Sequence, residues 1–186
     1  HGLPQPMLYI VECSYADPQS EAGWNRFYSE DKLPALVSVS GFRASQRFRA
    51  LSSSCPVYLA IHTIEHGDTL ASEAYRQKGG GSFSRWQAHI RDWRRNLYRY
   101  GGVFPAVAEG DVLLLSPEPL DVVESELGYP PTKLSAAGLD NNPPQRVAYV
   151  LPRREAMLLA GRENVSMYEP MAGQLQSPTE IQPPSR

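Results

Sequence analysis

Cysteine is scarce in this chain: 186 residues carry two, Cys13 and Cys55. That excludes a disulfide framework and a paired-cysteine zinc spacing, and it points to a reducing cytosol. Long apolar runs are missing as well. None approaches the ~18 residues that a bilayer crossing needs, and no charged-then-apolar leader is present. Charge of one sign is not in excess. A net charge of -2 offers neither a basic face for nucleic acid nor a polybasic patch for an acidic membrane. Gly-x-Ser-x-Gly is absent. The glycine run in GGGSF (79–83) lies where a helix start can cradle a phosphate, but it lacks the lysine and the flanking strand of a P-loop and reads as a hinge. The expectations are a cytoplasmic protein with no nucleic-acid or membrane partner. The opening HGLPQP reads as added sequence ahead of a native start at Met7.

What is present is an ordinary apolar fraction, 41%, sufficient for a packed core. MLYIVECSY (7–15) is rich in β-branched and aromatic residues and predicts a first strand. The stretch from Pro18 to Val39 predicts a helix, with Trp24, Tyr28 and Asp31 at i, i+4 and i+7 on one face; Pro34 kinks or ends it. GFRASQRFRAL (41–51) alternates, placing Phe42, Ala44, Gln46 and Phe48 on one face and Arg43, Ser45, Arg47 and Arg49 on the other. PVYLAIHTI (56–64) predicts the third strand, and DTLASEAYRQ begins a helix. A second helix is expected over 82–100, with Phe83, Trp86, Ile90, Trp93 and Leu97 as its stripe and five arginines on its flanks. GDVLLLSP (110–117) predicts the fourth strand. The order β-α-β-β-α-β is ferredoxin-like. Residues 118–186 read as a C-terminal extension: an irregular connection to 145, a short strand RVAYVL, a short helix, an extended piece VSMYEPM and a disordered tail SPTEIQPPSR.

The segments WNRFYSEDKLPALVSVSGF, QRF and VYLAIHTI resemble the dimeric α+β barrel superfamily, most closely its EthD-like and stress-responsive-barrel branches, over residues 7–117. The resemblance implies a half-barrel whose open sheet face pairs with a second copy, hence a homodimer, around which 118–186 wraps. It implies activities such as cofactor-free monooxygenation, cyclisation, isomerisation, dehalogenation or haem chemistry. Two departures bear on the site. Relatives place a histidine in an E-H-L-P-like segment, where this chain has D-K-L-P with Lys32. They also carry Tyr-Glu where this chain has His62-Thr63.

The predicted topology brings the end of the first helix, the start of strand two and the end of strand three to one rim. Asp31 and Lys32, Arg43, His62 and His66 meet there, with Tyr9. His62 suits proton transfer, with Asp31 holding its tautomer or serving as the base. Arg43 and Arg47 suit an anionic substrate, and Trp24, Tyr28 and Tyr58 provide flat apolar walls. Each has a structural alternative: His62 as a satisfied strand residue, Asp31 as a surface ion-pair member, the tryptophans as core, and the strand-two arginines as ion pairs across the dimer or on Glu12. His62 and His66 lie roughly 13 Å apart on a straight strand, so no metal is assigned, and no cofactor. The expected function is a metal-independent acid–base enzyme of lyase, isomerase or cyclase type, acting on a small anionic or aromatic metabolite. The alternatives are a cofactor-free monooxygenase and a non-catalytic binding or assembly protein. A haem enzyme with His62 as proximal ligand has no further support.

Overall fold

A computed structural model describes residues 5–79 and 82–178. All but Ser177 and Pro178 of the expected tail lies outside the described residues, as do two glycines of the GGG run. Strands β1 (Met7–Tyr15), β2 (Phe42–Ala50) and β3 (Tyr58–Ile64) form where alternation places them. Between β1 and β2 one helical path runs through α1 (Glu21–Phe27), a π-helical turn (Tyr28–Lys32) and α2 (Leu33–Val37), with Pro34 in the first turn of α2, where its missing N–H is harmless. Gly41 then turns the chain into β2 at a φ of +102°; a Cβ there would sit 2.5 Å from the Thr69 hydroxyl.

After β3 come a 3-10 turn (Gly67–Ala71), α3 (Glu73–Gln77) and a second 3-10 turn (Ser84–His89). The helix expected over 82–100 does not form. Its greater part is β4 (Ile90–Arg99). The Phe83–Leu97 stripe has helical spacing, but pairing with β1 overrides it. Arg94 lies opposite Glu12, Asn96 opposite Ile10 and Leu97 opposite Tyr9. The strand expected fourth, 110–117, is therefore the fifth, β5 (Asp111–Ser116).

The residues expected as an extension supply further barrel strands: β6 (Thr132–Leu139), β7 (Gln145–Pro152) and β8 (Ser166–Pro170), with a short β9 (Leu175–Gln176). A π-helical turn (Val122–Glu126) precedes β6, and α4 (Arg153–Ala156) follows β7. The change from one set of strands to the next thus falls between Arg99 and Asp111, ahead of the expected boundary at 117.

Every pairing is antiparallel, in the order β3-β1-β4-β6-β7-β5-β8-β2, and the β2–β3 pairing closes the ring. The result is a mixed α+β fold built on an eight-stranded antiparallel barrel. β1–β4 follow the order β2-β3-β1-β4, and β5–β8 repeat it as β6-β7-β5-β8; the sets join at the β4–β6 and β2–β8 seams. The lumen is packed by Leu8, Ile10, Phe48, Leu59 and Ile61 from the first set and Leu113, Leu115, Leu134 and Tyr168 from the second. A barrel of this size is filled by side chains. This corrects the ground for the homodimer. The sheet face expected to await a second copy is the lumen, already covered by the chain's own second set of strands. Among the described residues no helix is long and apolar enough to cross a membrane.

Candidate functional site

The helices of the first set lie over the outward faces of β1, β2 and β3. On β1 that face carries Tyr9, Val11 and Cys13; on β3 it carries Tyr58, Ala60 and Ile64. His62 shares the β3 parity and lies on the helix side, 1% exposed. A register irregularity between Phe42 and Ala44 shifts β2 by one residue, so that Ser45 faces His62 and Arg47 faces Ala60. The same bulge leaves Arg43 at the rim. There it is paired with Glu65 at 2.5 Å and lines a cavity of about 260 Å³ with Thr63.

Two clusters result. In the first, the Nδ1 of His62 is 2.6 Å from the fully buried Ser45 hydroxyl. Its ring stacks on Tyr9 (centroids 5.5 Å apart, planes 28°) and meets the edge of Phe42 at 5.5 Å. The Tyr9 hydroxyl lies 3.3 Å from that of Tyr75 on α3 and accepts from Arg95 Nη1 at 3.1 Å. Burial, followed by the nearby Lys32 charge, lowers the His62 pKa to about 3, so the ring is neutral. Burial pushes the Tyr75 phenol well above its ordinary value.

Lys32 ends the π-helical turn and is 6% exposed. Its ammonium donates to the Gly79 carbonyl and, at 2.6 Å, to the Ser82 carbonyl, and it lies 4.7 Å from the Phe83 ring centre. No carboxylate among the described residues bonds it, and burial lowers its pKa to about 8.

The second cluster gathers Arg47, Tyr28, Trp24 and Tyr58. The guanidinium donates to Ser29 Oγ (2.9 Å) and Asn25 Oδ1 (2.8 Å) and lies 4.0 Å above the Tyr28 ring. Trp24 packs edge-on to Tyr58 and Tyr28. Tyr58 donates to Glu21 and accepts from Asn25 at 2.9 Å. Burial lowers the Arg47 pKa and raises that of Tyr28, and it pushes the Cys13 thiol beside them up to about 12. Cys13 and Cys55 are free thiols on opposite sides of the sheet, the first under the helices and the second against the lumen.

Of the residues singled out from sequence, His62, Arg47, Tyr28, Trp24 and Tyr58 are buried on the helix side, Arg43 stands at the rim, and Asp31 is exposed. No hydrogen bond or ring contact among the described residues joins His62 to Asp31 or Tyr28. The helix passes through a π-helical turn in which the Leu33 amide returns to the Tyr28 carbonyl, and here Lys32 is buried while Asp31 is exposed. Ser45 was legible by parity with Arg47, whereas Tyr75 carries no signal in its polar segment. Cavities of about 590, 500 and 260 Å³ occur among the described residues, and none is lined by His62, Tyr9 or Lys32. Phe42 meets His62 edge-on, and Tyr75 stacks on the Phe42 ring at 6.0 Å. No group of three or more His, Cys, Asp or Glu among the described residues is placed to hold a metal ion.

The fold is shared with solved structures. An anthrone oxidase-like protein superposes with a TM-score of 0.59 over 96% of this chain and 95% of its own, at 10% identity. A candidate monooxygenase from Lactobacillus acidophilus NCFM gives 0.54 over 91% and 95%, also at 10% identity. A candidate monooxygenase from Fusobacterium nucleatum gives 0.52 over 94% and 95%, at 7% identity. The class that the strand order and these likenesses define for this chain is an α+β barrel. At such identities the likeness is one of fold. Neither a family model nor a curated protein matches the sequence.

Proposed function

We propose that the chain is an enzyme that takes a proton from a small aromatic molecule and delivers the resulting carbanion to dioxygen, a cofactor-free monooxygenase with His62 as the base. One observation carries the reading: a buried histidine, oriented through Nδ1 by Ser45 and set against the Tyr9 and Phe42 rings. A flat substrate continues that stack. The Lys32 charge that disfavours a protonated His62 favours an anionic substrate beside it. The names of the three structural neighbours support oxygen chemistry over the lyase, isomerase or cyclase outcomes of the same proton step. For an anthrone, the ring methylene loses its proton to the base and its electrons reduce dioxygen. The O–O bond then breaks, leaving a carbonyl on carbon and releasing water, so that no outside reductant is needed. Entry requires the Phe42–Tyr75 cover to part. We also read each set of four strands as a ferredoxin-like half, so that one chain supplies both halves of a barrel and the partner is the small-molecule substrate.

Oxygen uptake with anthrone as probe tests this. His62→Ala is expected to lower turnover by ~10²–10⁴-fold with an unchanged circular dichroism spectrum. Full activity in that variant would remove His62 from the reaction. Deuterium exchange into the probe without oxygen uptake by the wild type would return the lyase or isomerase reading.

A further inference from the structure

A third cluster occupies the lumen side of the same sheet. Glu12 points inward and is 1% exposed. Arg94 of β4 holds it through Nε to Oε2 (3.2 Å) and Nη2 to Oε1 (2.9 Å). Arg146 of β7 holds it end-on, through Nη1 to Oε2 (2.8 Å) and Nη2 to Oε1 (3.1 Å). Burial alone would raise the Glu12 pKa; Arg146 and then Arg94 outweigh it, and the carboxylate is held below its ordinary range. Two guanidiniums on one carboxylate leave the group with an excess positive charge.

A guanidinium has two bidentate edges. Arg94 has committed its Nε/Nη2 edge to Glu12 and keeps the Nη1/Nη2 edge; Arg146 has committed its end-on edge to Glu12 and has the Tyr98 hydroxyl as a further neighbour. Both arginines line a cavity of about 590 Å³ at the end of the barrel, walled by the β2–β3 loop serines 52–54 and the loop 160–166. The volume lies within the ~300–1,000 Å³ typical of small-molecule clefts. Arg162 adds a third cation to the lining against one carboxylate, Glu163. The Tyr168 hydroxyl is buried, makes no hydrogen bond of good geometry among the described residues, and has the Cys55 thiol, Glu12 and Arg146 beside it. The polar end of the lumen therefore holds a surplus of donors and of positive charge, beneath a cleft of ligand size.

We infer that this cavity binds a small organic oxyanion, a carboxylate or a phosphate ester, with the free edge of Arg94 as the anchor and Arg146 behind it. The site is separate from His62, which lies on the opposite face of the sheet. Side-chain Nε–Hε spectra of the ¹⁵N-arginine-labelled protein, titrated at low salt with benzoate and with phenyl phosphate, test it. Saturable shifts of the Arg94 and Arg146 signals are expected, and the tighter probe identifies the oxyanion. Arg94→Gln leaves the Arg146–Glu12 pair in place and is expected to weaken binding roughly tenfold. Ser54→Glu adds an anion at an exposed rim position, where folding is not at stake, and is expected to weaken it severalfold. Absence of a saturable shift in the wild type overturns the inference, as does undiminished binding in Ser54→Glu.

Discussion

The two sets of four strands share one order and differ in what their outward faces carry. Under α1 and α2 the first set presents Tyr9, Ser45, Arg47 and His62, with Lys32 pressed in from the helix above. Under α4 and the Val122–Glu126 turn the second set presents Val112, Leu114, Val147, Leu151 and Met167. Its strand phenol, Tyr149, accepts from the Leu120 amide at 2.8 Å and donates to Glu124, so its polarity serves the loop. Burying cations without carboxylates costs stability, and an apolar face of the same architecture offsets it. The first face holds the buried polar groups, and the second is given over to packing.

The largest expected effect breaks the contact that ties one set to the other. Arg146→Met strips the second set's hold on Glu12 and is expected to cost ~3–5 kcal/mol in urea unfolding. Combining it with Glu12→Leu should restore most of the loss, and a double variant as weak as the single one would show that the pair is not the cause.

His62 sets an acid limb to the stability of the first set. Its pKa in the fold is about 3, against ~6.5 when unfolded. Between those values the unfolded chain takes a proton that the fold refuses, so stability falls as pH drops from about 6.5 toward 3. From pH 7 to pH 4 the wild type should lose roughly 3 kcal/mol more than His62→Phe. Parallel pH profiles for the two proteins would contradict this.

Lys32 sets an alkaline limb of the same sign. Its pKa is about 8 in the fold and ~10.4 unfolded. Its burial penalty is present in full below pH 8 and is relieved as pH rises toward 10. Relative to Lys32→Met, the wild type should gain ~2 kcal/mol between pH 7 and pH 9.5. A constant difference in calorimetry would place the ammonium in water instead.

The smallest effect belongs to the second set. Tyr149→Phe should cost ~1 kcal/mol and leave anthrone turnover unchanged. Loss of turnover there would erase the division of labour between the two faces.

How far this contrast could be read from sequence depended on the segment. β1, β2 and β3 announce themselves through alternation and β-branched residues, and the parity of His62 with Tyr58 and Ala60 placed it on the mixed face. β4 was hidden, because Phe83, Trp86, Ile90, Trp93 and Leu97 share a helical spacing while the register that makes Arg94 face Glu12 is non-local. β6 was hidden for the opposite reason. In TKLSAAGL only Leu134 is buried, so there is no pattern to see. The repeat escaped notice because the second set's helices shrink to single turns. Asp31 misled because a π-helical turn is not visible in residue spacing, and Ser45 opposite His62 depended on a bulge at Arg43.

The closing seam has a consequence for synthesis. Phe48 on β2 finds its outer partner in Pro170 on β8, so the edge of β2 and the apolar side of the first sheet emerge from the ribosome long before anything can cover them. At ~5–20 residues per second the wait is on the order of ten seconds. Through that interval the nascent chain exposes Leu8, Ile10, Phe48 and Leu59 beside an unpaired strand edge, the combination that chaperones recognise and that aggregates when they are scarce.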